Sequence, residues 1–258
     1  MSRHRTQRGL YLSHKMYNAY PNSFCGAIIS GTRGIGKSSF ALNAVWELYR
    51  LLGYDEDEAW NKTLEVCKFT MDDVIDFIEK SSLSDQKEHV LLWDDAGVYA
   101  STMEWWANRD TLRRLKGVLD TIRTGVCSLI LTTPQETDLT KVVRNYDDYI
   151  IQIRYTEGGN YRMAKGYLKR TLPSGKVMIY PKFKNKFLVM LPDSVFDKYM
   201  AMRKNILEQQ IQKIKQSLKD AARKEKMDMA AMQIKMKKLQ DNLKKIKEGE
   251  HGTQEEEG

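Results

Sequence analysis

Eight consecutive residues, Gly31-Thr32-Arg33-Gly34-Ile35-Gly36-Lys37-Ser38, constrain this chain more than any other feature. They match G-x-x-x-x-G-K-[ST] at every position, a pattern that works only between a strand and a helix. Both neighbours are legible. Ala27–Ile28–Ile29–Ser30 is a short apolar run of the kind buried in a parallel sheet. From Ser38 to Leu52 the residues Phe40, Ala44, Val45, Leu48 and Leu52 recur at helical spacing, and Gly53 suits a C-cap. The glycines let backbone N–H groups turn inward around phosphate oxygens with no Cβ in the way. Lys37 is then expected to neutralise the β and γ phosphates of ATP. Ser38 is expected to ligate Mg²⁺, and the helix aims its positive N-terminus at the same anions. Gly31 to Ser39, with Thr32, Arg33 and Ile35 inside the loop, is the expected nucleotide-binding segment.

Further along, Val90–Leu91–Leu92–Trp93 ends in Asp94–Asp95, the form of a Walker B strand. Asp94 is expected to hold Mg²⁺ and Asp95 to polarise the attacking water. Cys127–Leu131 reads as the strand beside it. Thr132 or Thr133 at its tip is the expected water-orienting sensor, with Thr133 preferred as nearer the end. Two arginines are candidates for a finger that reaches a neighbouring subunit's γ-phosphate: Arg144, before the last core strand, and Arg123, before the Cys127 strand.

Strand signals at Glu65–Phe69 and Tyr149–Ile153, a helix capped by Thr70 or Asp72, and another over Arg109–Ile122 complete an alternating pattern. It predicts a mostly parallel sheet covered by helices on both faces. From Arg154 to Leu191, breaks at Gly158–Gly159 and Pro173–Ser174–Gly175 predict hairpins. A helix starting at Asp193 or Ser194 is expected to run to about Glu248. Leu207, Ile211, Ile214, Leu218, Ala222 and later methionines and leucines on it form a seam compatible with a coiled coil. The domains follow: 1–20 basic segment, 21–153 core, 154–192 hairpin extension, 193–248 basic helix and 249–258 acidic tail.

Charge matters at the ends. The chain carries a net +8, and residues 203–248 hold 14 Lys/Arg against 6 Asp/Glu, while the body looks nearly neutral. An extended basic helix suits DNA or a partner protein. Cys25, Cys67 and Cys127 lack metal-ligand spacing and read as buried free thiols in a reducing compartment. With no apolar run of about 18 residues and no signal-peptide core, a cytoplasmic protein is expected, with no membrane partner.

Taken together, GTRGIGKSSFALN, LLWDDAGVY, SLILTTPQETDL and LPDSVFDKYMAMRK make residues 10–205 resemble the P-loop ATPases of fuselloviruses, the spindle-shaped viruses of archaea. That family is similar to replication initiators of the DnaA type, within the AAA+ class. The resemblance implies an α/β P-loop NTPase fold, ATP binding, viral or plasmid DNA replication, and a homo-oligomer on DNA. It places Gly31, Gly36, Lys37 and Ser38 on the nucleotide and Asp94 on the metal. The family's usual glutamate after the Walker B aspartate is Asp95 here, one methylene shorter, and the helical lid of AAA+ proteins gives way to the hairpin stretch. A DNA-translocating packaging motor and a nucleotide-gated adaptor without motor activity are the competing functions.

Overall fold

The computed structural model describes residues 9–84, 86–99, 109–141, 148–157 and 159–251. The chain divides into two compact units, Met1–Arg203 and Lys204–Gly258. The first opens with helix α1 (Tyr11–Ala19), then β1 (Cys25–Ser30), α2 (Lys37–Leu51), α3 (Glu56–Glu65), β2 (Cys67–Lys68) and α4 (Met71–Ser82). Strand β3 (Leu91–Trp93), the short α5 (Ala96–Tyr99), α6 (Arg109–Thr121) and β4 (Ser128–Thr133) follow. Then come β5 (Tyr149–Tyr155), β6 (Tyr161–Thr171) and β7 (Val177–Leu188).

The seven strands form one sheet in the order β2-β3-β4-β1-β5-β6-β7. Strands β2, β3, β4, β1 and β5 pair in parallel, and β6 and β7 add antiparallel strands beyond β5. This is the predicted α/β architecture. The hairpin extension does not form a separate body: it continues the core sheet. The loop strand β1 and the acid-tipped strand β3 are separated by β4.

Alternation along β1 divides the core into two layers. Ile28 joins a cluster with Val74 and Ile78 of α4, Trp93, Leu119 of α6, Ile122 and Leu131. The opposite face meets α1 and α2: the Phe40 ring lies edge-on to Phe187 of β7, and Tyr11 stacks on Phe183. Residues Phe40, Ala41, Ala44, Val45 and Leu48 of α2 are fully buried. Helix α4 starts where Thr70 accepts a hydrogen bond from the Asp73 N–H, as its sequence position predicts. Helix α3 has no counterpart in the sequence reading. It stands in the stretch before the expected Glu65–Phe69 strand, which shrinks to Cys67–Lys68.

Cys25, Cys67 and Cys127 are free and buried, and burial pushes the Cys25 thiol up to about 12. Among the described residues no helix is long and apolar enough to cross a membrane. Helix α7 (Asp193–His251) starts in the first unit, and the described part of the second unit is its continuation. Within the single chain, the seam residues Leu207, Ile211, Ile214 and Leu218 are exposed.

Candidate nucleotide-binding site

At the C-terminal edge of the parallel strands, the loop Gly31–Ser38 links β1 to α2. Its geometry depends on glycine. Gly36 is the N-cap of α2 with φ 99°, in the left-handed region that favours glycine. A Cβ there would also lie 3.1 Å from Val189. Ile35, 4% exposed, anchors the loop in the core. The Lys37 ammonium folds back across the loop and donates to the carbonyls of Gly31 at 3.0 Å and Thr32 at 3.1 Å. Burial pulls its pKa below the ordinary lysine value, against the opposing pull of Asp95 and Asp94.

Beneath the loop lies Asp94, with no exposed surface. Its Oδ1 accepts from Ser38 Oγ at 2.8 Å and from Thr132 Oγ1 at 2.6 Å. Its Oδ2 accepts from the Tyr199 hydroxyl. Burial first, and Asp94 next, push the Tyr199 phenol well up, which keeps it a donor. Three hydroxyls thus hold one buried carboxylate, as a buried charge requires. The neighbouring Asp95 has φ 54°, a left-handed conformation uncommon for a non-glycine residue. Its N–H donates to Thr132 Oγ1 at 2.8 Å, and its carboxylate pairs with the Arg203 guanidinium. Burial, and then the charge of Asp94, raise the Asp95 pKa above the usual carboxylate value; Arg203 and Lys37 pull the other way.

A pocket of about 540 Å³ opens over these groups. Gly34, Gly36, Lys37 and Ser38 line one side, Asp95 and Arg203 another, and Val189, Phe196 and Met200 supply apolar walls. Arg33 and Ser39 line it too, while Thr32 and Ile35 face a second pocket. No group of three His, Cys, Asp or Glu side chains among the described residues forms a metal cage of its own. The Ser38 hydroxyl and the Asp94 carboxylate, hard oxygen donors side by side, fit a Mg²⁺ ion that keeps its other positions for phosphate and water.

The structure brings Gly31–Ser39, Asp94, Asp95 and Thr132 together. Strand β4 runs through Thr133, so both threonines belong to the strand. Thr132 touches Asp94, whereas Thr133 donates to the Gln135 carbonyl at 2.9 Å. Thr132, not the preferred Thr133, is therefore the threonine on the acidic pair. Arg123 is exposed in a 3-10 turn before β4, at the opposite edge of the sheet, and does not reach this pocket. Arg144 lies outside the described residues. Sequence reasoning passed over Tyr199 and Arg203. Their i, i+4 spacing at the start of α7 puts both on one helix face, the one signal that marked them.

No protein-family model matches this chain. It is 28% identical over 226 residues to protein B-251 of Sulfolobus spindle-shape virus 1, covering 84% of this chain and 89% of that one. It is 32% identical over 143 residues to ORF286 of Acidianus two-tailed virus, spanning 54% of this chain and 47% of that protein. Among solved structures, the N-terminal domain of zonular occludens toxin from Neisseria meningitidis is similar at 16% identity and a TM-score of 0.38. That match covers 67% of this chain and 97% of the other. A KaiC-like protein from Pyrococcus horikoshii is similar at 16% identity and a TM-score of 0.33, over 62% of this chain and 92% of that one. The chain is thus similar to proteins of two archaeal viruses, and its α/β fold, with the Gly31–Ser38 loop between β1 and α2, resembles that of P-loop NTPases.

Proposed function

We propose that the chain is a Mg²⁺-dependent ATPase that acts on DNA. The observation that carries the catalytic half is the convergence of Lys37, Ser38, Asp94, Thr132 and Asp95 on one pocket. Lys37 exchanges its two loop carbonyls for phosphate oxygens, and the loop N–H groups bind the β phosphate. Ser38 and Asp94 would hold a Mg²⁺, which would supply charge neutralisation on the phosphates. Thr132 orients Asp94 and fixes the Asp95 backbone. Asp95, once Arg203 leaves it, accepts a hydrogen bond from the attacking water. The exposed Phe196 and Met200 offer an apolar surface to the base.

The test is a calorimetric titration of ATP with and without Mg²⁺, alongside phosphate release. Asp95→Asn is expected to bind MgATP like the parent and to lose turnover about a hundredfold or more, the usual worth of a positioned base. An Asp95→Asn protein with the parent rate would remove Asp95 from the chemistry.

Among the described arginines, Arg203 pairs with Asp95 from within the pocket of its own chain. When the triphosphate arrives, its guanidinium is expected to turn from Asp95 to the γ phosphate. Arg203→Ala should therefore weaken ATP binding by the worth of one charge-assisted hydrogen bond, about 1.5–3 kcal/mol, and leave ADP binding unchanged. An equal loss for ATP and ADP would mean that Arg203 only supports the pocket wall.

The DNA half rests on charge: 14 Lys/Arg against 6 acids over residues 203–248 favour a polyanion. Replication of viral or plasmid DNA, by a homo-oligomer, is the role that completes this proposal.

A further inference from the structure

The near-neutral body conceals one concentrated stretch. Residues 154–188, the end of β5 with β6 and β7, hold nine lysines and arginines against a single acid, Glu157. Strand register sorts them. Gln152, Lys165 and Lys184 form one row across the three strands, and Arg154, Met163 and Lys186 form the next. Alternation puts both rows on one face, opposite the face on which Tyr11 and Phe40 pack.

Arg154, Lys184 and Lys186 are exposed there and Lys165 is half-buried. No carboxylate among the described residues forms an ion pair with any of the four. Lys165 and Lys184 stand directly opposite each other, a like-charge pair that weakens a sheet. The folded chain alone gains nothing from that arrangement. Two of the cations are already aimed: Lys186 lies 4.6 Å over the Tyr161 ring, and Arg154 donates to Gln152 Oε1 at 3.1 Å.

We propose that this face of β5, β6 and β7 binds the phosphate backbone of nucleic acid, as a second contact besides the long helix. The inference rests on the DNA half of the function above and specifies where in the folded unit the polymer lies. Same-face residues along a strand are about 6.8 Å apart, the axial length of about two nucleotides of one DNA strand. Cations in two adjacent rows thus present a regular array to a regular polyanion. The rows themselves expose no large aliphatic side chain of the kind that enters a bilayer.

The test uses the full chain and short duplex DNA of mixed sequence, with affinity measured by fluorescence anisotropy across a salt series. Lys184→Gln/Lys186→Gln is expected to lower affinity at low salt about tenfold and to flatten the slope of log K against log salt by about 1.8, two phosphate contacts' worth. Lys184→Arg/Lys186→Arg is expected to restore both. ATP titration of each variant should match the parent, which shows that the sheet and loop are intact. Unchanged DNA affinity and slope in the glutamine variant would overturn the proposal while leaving DNA binding to the helix. A parent chain that hydrolyses ATP but binds no DNA would overturn this proposal and the DNA half of the function together. A loss seen with phosphatidylserine vesicles but not with DNA would overturn it in favour of a membrane surface.

Discussion

Lys37→Ala is expected to remove ATP binding while leaving the fold as stable as before, or slightly more so. In the free protein the ammonium donates to two carbonyls, and Lys37 as a residue is 8% exposed. Burial works against its charged form, as the lowered pKa records. Deleting it relieves that cost. In the complex the same cation meets two phosphates, and truncating one partner of a buried charge pair costs about 2–5 kcal/mol. Affinity should fall roughly thirty- to several-thousandfold. Calorimetry reads the first effect and thermal unfolding the second. Parent-like ATP affinity would remove Lys37 from the site, and a large drop in the melting temperature would make it a structural residue.

The second large effect is on stability. Trp93→Ala should destabilise the first unit by about 3–5 kcal/mol, the usual range for an aromatic deleted from a core. Trp93 has no exposed surface, and its Nε1 donates to the Phe69 carbonyl at 3.0 Å. Truncation opens a cavity between α4 and β4 and orphans that carbonyl. Because Trp93 directly precedes Asp94, the loosened strand should also carry the acidic pair out of register with Ser38. Trp93→Phe keeps most of the volume and loses the hydrogen bond, so it should cost about 1–3 kcal/mol. Denaturant unfolding of both variants separates the contributions. An alanine variant less than about 1 kcal/mol below the parent would mean that neighbouring side chains close the gap.

Legibility followed the range of the interactions. Gly31–Ser38 and Val90–Asp95 were readable because strand, loop and helix stand side by side in the sequence. Thr70 was readable because a cap acts over three residues. The contacts of Tyr199 and Arg203 with Asp94 and Asp95 span 105 and 108 residues, and no local pattern reports such a meeting. The choice between Thr132 and Thr133 turned on which side chain meets Asp94: neighbouring strand residues point to opposite faces, and it is Thr132 that reaches the carboxylate. Helix α3 escaped notice because its buried stripe is short: Ala59, Trp60, Thr63 and Leu64. The basic face of β6 and β7 vanished for another reason. A sum over the whole body cancelled it against acidic helices, and only the register showed which cations share a surface.

The outer margin of the sheet has a consequence for crowding and self-association. A free strand edge is a template onto which another copy can add, and long flat edges seed fibres. Here one margin is β2, only two residues long. The other is β7, where Pro181 removes an N–H, the pairing with β6 is irregular between Gly166 and Tyr167, and lysines recur at positions 182, 184 and 186. Neither margin invites a second sheet. Any self-association of this chain is therefore expected to use helices and loops, with the sheet closed to open-ended growth.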